Sequence, residues 1–116
     1  DKKNMNEKKT ILIVDDSKLT GNIKEILGES IIIWNAENGN QAIQLVGDNL
    51  GIDLILLDIH MPQMDGFEVL EMMNKSQCIN ETPVIMISSE ESVTMMRKAY
   101  EMGITDYITR RLTLLL

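Results

Sequence analysis

Ile11-Leu12-Ile13-Val14-Asp15-Asp16 is an apolar tetrad that stops on two carboxylates. Two further tetrads share the build: Leu54-Ile55-Leu56-Leu57 stops on Asp58, and Val84-Ile85-Met86-Ile87 stops on Ser88. None alternates with polar residues, the pattern of strands covered on both faces in the middle of a parallel sheet. A fourth run, Ile31-Ile32-Ile33-Trp34, precedes Asn35 and the turn-forming Asn38-Gly39, and a weaker fifth, Tyr107-Ile108-Thr109, follows Gly103. Between these runs the apolar period lengthens to helical spacing. The helical stripes are Leu19, Ile23, Ile26 and Leu27; Ala42, Ile43, Leu45 and Val46; Phe67, Val69, Leu70 and Met73; and Val93, Met96, Ala99 and Tyr100. The order is therefore βαβαβαβαβ. Helical crossovers make strands parallel and connections right-handed, so the spacing predicts a three-layer α/β sandwich around a five-stranded sheet.

Composition narrows the function. A length of 116 residues, 44% apolar and 25% charged, fits one ordinary globular domain. With 18 acidic and 11 basic residues the net charge is −7, which argues against a surface built to grip nucleic acid or anionic lipid and favours proteins or cations as partners. No apolar run approaches the roughly 18 residues of a membrane span, and neither signal peptide nor anchor is expected. Residues 1–9 read as a flexible N-terminal segment or tag remnant, and 10–116 as the domain. The lone Cys78 cannot form an intramolecular disulfide, which suits a reducing cytoplasm. Nine methionines beside four aromatics imply a core filled by flexible side chains.

The informative residues end the central runs. In an open parallel sheet the carboxyl ends of the strands meet at one edge, where ligands bind, so Asp15, Asp16, Asp58 and Ser88 can share a pocket. Carboxylates gathered there repel one another unless a cation neutralises them or a pKa rises. An oxygen-only site with room for water favours Mg²⁺, with Mn²⁺ as a substitute, over zinc. The side chains of His60 and Cys78 are correspondingly poor metal ligands. Ser88 has two readings: a hydroxyl at the pocket, or the N-cap of the next helix in a capping box with Glu91, a role open to Ser89 as well. Past Asp58, the stretch Ile59-His60-Met61-Pro62-Gln63-Met64-Asp65-Gly66 specifies a tight loop before the next helix.

From Ile11-Leu12-Ile13-Val14-Asp15-Asp16, through Asp58 with Met61-Pro62 and Met64-Asp65-Gly66, to Ser88, the chain resembles the receiver domain of bacterial two-component response regulators. The resemblance implies a flavodoxin-like (CheY-like) sandwich with strand order 2-1-3-4-5. It further implies that Asp58 accepts a phosphoryl group from a sensor histidine kinase or phosphotransfer protein. Asp16 and Asp58 would bind Mg²⁺ directly, Asp15 through water, and His60 through its backbone carbonyl. Ser88 would contact the phosphoryl oxygens, and Tyr107 would turn inward as the second half of a switch that alters a protein-interaction surface.

Two features depart from the family pattern. The Lys-Pro pair expected after the fifth strand is Arg110-Arg111 here, which keeps the charge of the lysine but not its shape. Without the proline, the 110–111 bond is expected to be trans and the loop to take another path. Only Arg110-Arg111-Leu112-Thr113-Leu114-Leu115-Leu116 follows the fifth strand, so the usual fifth helix is expected to be missing or incomplete. That would leave apolar surface bare, either because the chain is shortened or altered or because the tail packs in trans in a homodimer or domain swap. The residues bear on two other functions. A Mg²⁺-dependent phosphohydrolase of the haloacid-dehalogenase type needs a D-x-D signature, whereas the acids here are adjacent. A receiver-like interaction module that no longer switches is kept in view by Arg110-Arg111 and the short tail.

Overall fold

A computed structural model describes residues 8–15, 18–48, 51–58, 66–77, 81–88 and 92–109. Within them the strands are β1 (Lys9–Val14), β2 (Ile31–Ala36), β3 (Leu54–Asp58), β4 (Val84–Ser88) and β5 (Asp106–Thr109). The helices are α1 (Lys18–Leu27), α2 (Gly39–Gly47), α3 (Gly66–Lys75) and α4 (Val93–Glu101), with a short 3-10 turn at Gly28–Ser30. The sheet has the order β2-β1-β3-β4-β5 and each neighbouring pair is parallel, which is the expected flavodoxin-like arrangement.

The three apolar tetrads are the three central strands. Leu12, Ile13, Val14, Ile55, Leu57, Val84 and Met86 are wholly shielded from solvent. Alternation divides them between two layers. Leu12, Val14, Ile55, Leu57, Val84 and Met86 pack with Ala42 of α2, Val69, Leu70 and Met73 of α3, and Ala99 of α4. Ile11, Ile13, Leu56 and Ile87 face the other way, where Ile23 of α1 packs on them. Met73 and Met86 are fully buried, and Met95, Met96 and Met102 pack half-buried against the core, so these methionines fill gaps between helices and sheet.

Three expectations need correction. β1 begins at Lys9 and β2 continues to Ala36, because the parallel ladder runs from Lys9↔Ile31 to Val14↔Ala36 and carries the polar Asn35 with it. The helical stripes are narrower than their spacing suggested. Ile26 is 77% exposed and Val93 67% exposed, each on the flank of a helix whose buried contact comes from Ile23 or Ala99. Ser88 does not cap a helix. It is the last residue of β4, whereas the hydroxyl of Ser92 accepts from Met95 N–H at 3.3 Å and caps α4.

Side chains fasten the loops at the amino edge of the sheet. Asn74 Nδ2 donates to Leu70 O at 3.1 Å and to Met102 O at 2.7 Å, tying α3 to the turn after α4. That turn uses Gly103 at φ 103°, a backbone state that L side chains rarely adopt. Across the same turn the Tyr100 hydroxyl donates to Asp106 Oδ1 at 3.2 Å. Partial desolvation, then the hydrogen bond and charge of Asp106, raise the Tyr100 phenol above its ordinary pKa, so it stays a donor throughout the neutral range.

Urea unfolding will separate core from flank: Leu57→Ala should cost about 2–5 kcal/mol, whereas Ile26→Ala should stay within about 0.5 kcal/mol of wild type. Ser92→Ala should cost about 1 kcal/mol in the same assay and speed hydrogen exchange at the Met95 amide.

Candidate functional site

Parallel register decides which residues meet. Val14 pairs with Leu57, so Asp15 and Asp58, each one residue further on, stand beside one another at the carboxyl ends of β1 and β3. Neighbouring strands lie about 4.8 Å apart, which brings the two carboxylates to one place. Asp58 in turn pairs with Ile87, so Ser88 stands one residue beyond it and starts from the opposite face of the sheet. All three are buried: Asp15 is 0%, Asp58 3% and Ser88 0% exposed. Every buried side-chain nitrogen and oxygen among the described residues has a hydrogen-bond partner.

Asp15 is held from β2. Its backbone N–H donates to Ala36 O at 3.0 Å, and its Oδ1 accepts from Asn35 Nδ2 at 3.2 Å. Ser88 pairs with Thr109, so β5 ends at the same edge. Tyr107, two residues earlier, is 8% exposed and belongs to the core layer that contains Met86 and Ala99.

Of the expected site residues, the fold therefore brings Asp15, Asp58 and Ser88 to one edge and buries Tyr107 beneath it. Asp16, His60 and Arg110 lie outside the described residues, as do Arg111, the loop after Asp58 and residues 110–116. Among the described residues no three metal-ligating side chains gather, so the described part of the edge contributes two carboxylates. As a donor set, two buried carboxylates are oxygen-only and anionic, which fits a hard divalent cation. Asn35 is a site residue that sequence spacing alone does not single out. Its signal is a lone polar residue directly after a run of four apolar ones, a position that by itself looks like the end of the strand. A cleft of about 340 Å³ lined by Ile43, Val46, Gly47, Ser76, Gln77 and Glu81 lies at the other end of α2 and α3, away from the acids.

The family model described as response regulator receiver domain matches residues 11–114. The chain belongs to this family. Among curated relatives, the receiver is similar to the transcriptional regulatory protein CpxR of Escherichia coli, with 35% identity over 105 residues. That match takes in 88% of this chain and 42% of CpxR, so the chain spans less than half the length of that relative. Among solved structures it is similar to the phosphorylated cyanobacterial phytochrome response regulator RcpA, with TM-score 0.78, 26% identity, and coverage of 90% of this chain and 81% of that one. It is also similar to the Mn²⁺-bound form of the response regulator Rcp1, with TM-score 0.76, 26% identity, and coverage of 88% and 81%. Receiver domains are signalling phosphoacceptors of two-component systems rather than enzymes that turn over an external substrate, and they typically bind a divalent metal. No helix among the described residues is long and apolar enough to cross a membrane.

Two adjoining buried carboxylates make the metal-free receiver carry repulsion that one fewer charge would relieve. In EDTA, Asp58→Asn should therefore raise the midpoint of urea unfolding above wild type. A lower midpoint would mean that local hydrogen bonds to the Asp58 carboxylate outweigh the repulsion.

Proposed function

We propose that this receiver accepts a phosphoryl group on Asp58 from the phosphohistidine of a sensor histidine kinase or phosphotransfer protein, in a Mg²⁺-dependent reaction. The modified site then shifts a protein-interaction surface on α4, β5 and the loop between them. The observation that carries this reading is the pair of buried carboxylates, Asp15 and Asp58, on adjacent strands at the carboxyl edge. A solvated loop acid would not be shielded in this way, and keeping two such charges together is costly unless a cation joins them.

Each residue has a part. A carboxylate oxygen of Asp58 forms the new O–P bond as the P–N bond of the donor breaks, and the bonding pair returns to the imidazole nitrogen. Burial at the end of β3 fixes that oxygen for an in-line approach. Asp16, Asp58 and the backbone carbonyl of His60 would hold Mg²⁺, with Asp15 acting through water. When bound, the ion would neutralise the carboxylates and the charge spread over the phosphoryl oxygens. Ser88 donates its hydroxyl to a phosphoryl oxygen, and Tyr107, a buried residue of β5, is the second half of the switch. Arg110, next after Thr109 in the sequence, would supply the positive charge that the family takes from lysine.

The receiver works in the cytoplasm, a placement supported by its single cysteine, and passes its signal to an effector domain or protein. It touches neither nucleic acid nor membrane itself, in keeping with its net charge of −7. A homodimer or domain swap through the C-terminal tail would cover the apolar residues that follow β5.

The test is intact mass after incubation with Mg²⁺ and acetyl phosphate, for which the leaving group is acetate. Wild type and Arg110→Lys should each gain one phosphoryl group, and Asp58→Asn none. A wild type that binds Mg²⁺ yet never gains mass would overturn the reading in favour of an interaction module that does not switch.

A further inference from the structure

Asn35 is polar and half-buried on an edge strand of otherwise apolar build, Ile31-Ile32-Ile33-Trp34 before it and Ala36 after. Its register partner is Ile13, two residues before Asp15, so alternation aims both Asn35 and Asp15 to the same face of the sheet. The side chain reaches across the strand pair. Nδ2 donates to the Ile13 carbonyl at 3.1 Å and to Asp15 Oδ1 at 3.2 Å. Both partners are acceptors, so the amide must present its NH₂ group to them, and the opposite flip would set oxygen against oxygen.

From this geometry we infer that Asn35 is a positioning residue for the cation site: it fixes the orientation in which Asp15 presents its carboxylate at the carboxyl edge. The inference rests on the proposed metal-binding role of Asp15. Three fixed points support it. The Asp15 backbone is pinned by its N–H to Ala36 O at 3.0 Å, its side chain is wholly buried, and Asn35 Nδ2 ties its Oδ1 to the same strand. The Asn35 amide is itself anchored on the backbone of β1 by Ile13 O, so it cannot swing away with the carboxylate. Partners that orient a metal-binding carboxylate in this way commonly change metal affinity 10–100-fold when removed. A purely structural Asn35, stapling the edge strand to β1 through Ile13 O, would instead act on stability regardless of what residue 15 is.

The experiment is Mn²⁺ titration by calorimetry on four proteins: wild type, Asn35→Leu, Asp15→Ala and the double variant, with circular dichroism to check folding. Leucine keeps the shape of asparagine without its donors, and Asn35→Val, a better strand former, is the second choice should the first not fold. Asn35→Leu should weaken Mn²⁺ binding about tenfold when Asp15 is present and less than about twofold when residue 15 is alanine. Equal losses in both backgrounds, or no loss in the first, would overturn the inference. A wild type that binds no Mn²⁺ would overturn the metal-binding reading as well, an outcome distinct from wild type and Asn35→Leu binding equally. A second readout needs no variant at residue 35. The Asn35 side-chain amide protons should exchange slowly in the metal-free receiver and shift on Asp15→Ala, whereas exchange as fast as in a free amide would contradict the bond.

Discussion

Parallel pairing of β1, β3 and β4 is the constraint on which the rest depends. Because each crossover returns the chain to the amino edge before the next strand starts, whatever residue ends a strand arrives at one common edge. Here those residues are Asp15, Asp58 and Ser88, and the ladders place Asp15 beside Asp58. The strands that deliver them are the most deeply buried part of the molecule. Leu12, Val14, Ile55, Leu57, Val84 and Met86 form one continuous layer under α2, α3 and α4, so the carboxylates stand on a rigid base.

The same architecture creates an electrostatic difficulty. Charges brought together out of water must find partners, and Asp15 finds one in Asn35 on the edge strand. The edge strand thus has a role beyond covering β1. Its polar residue at position 35 interrupts an apolar run and meets an acid at the site, while Ile31 and Ile33 on the same face pack beside Ile11 and Ile13. Stability and site geometry therefore share one register, Lys9↔Ile31 through Val14↔Ala36, and a slip of one residue would turn Asn35 away from Asp15.

Much of this was legible in the residues. Unbroken apolar tetrads identify central strands because both of their faces must be covered, and the acids that end them announce the edge. Helix flanks were harder to read. Ile26 and Val93 share the spacing of buried residues but project beside the packed stripe, and a one-dimensional period cannot tell the centre of a stripe from its margin. Caps are ambiguous for a related reason. The sequence offers several serines just before α4, and the fold, in which Ser88 is the last residue of β4, uses Ser92 as the cap. The Asn35–Asp15 bond joins residues 20 apart through a pairing that sequence spacing does not reveal.

The cation site proposed for the carboxyl edge is a single one, built on Asp15 and Asp58. Substoichiometric Mn²⁺ added to isotopically labelled protein tests it most directly, since the paramagnetic ion broadens the amide signals nearest to it. Asp15, Asp58 and Ser88 should fade first while Lys9 and Asp106, at the amino ends of their strands, stay sharp. Broadening that begins at another acidic cluster, or uniformly over the surface, would contradict it.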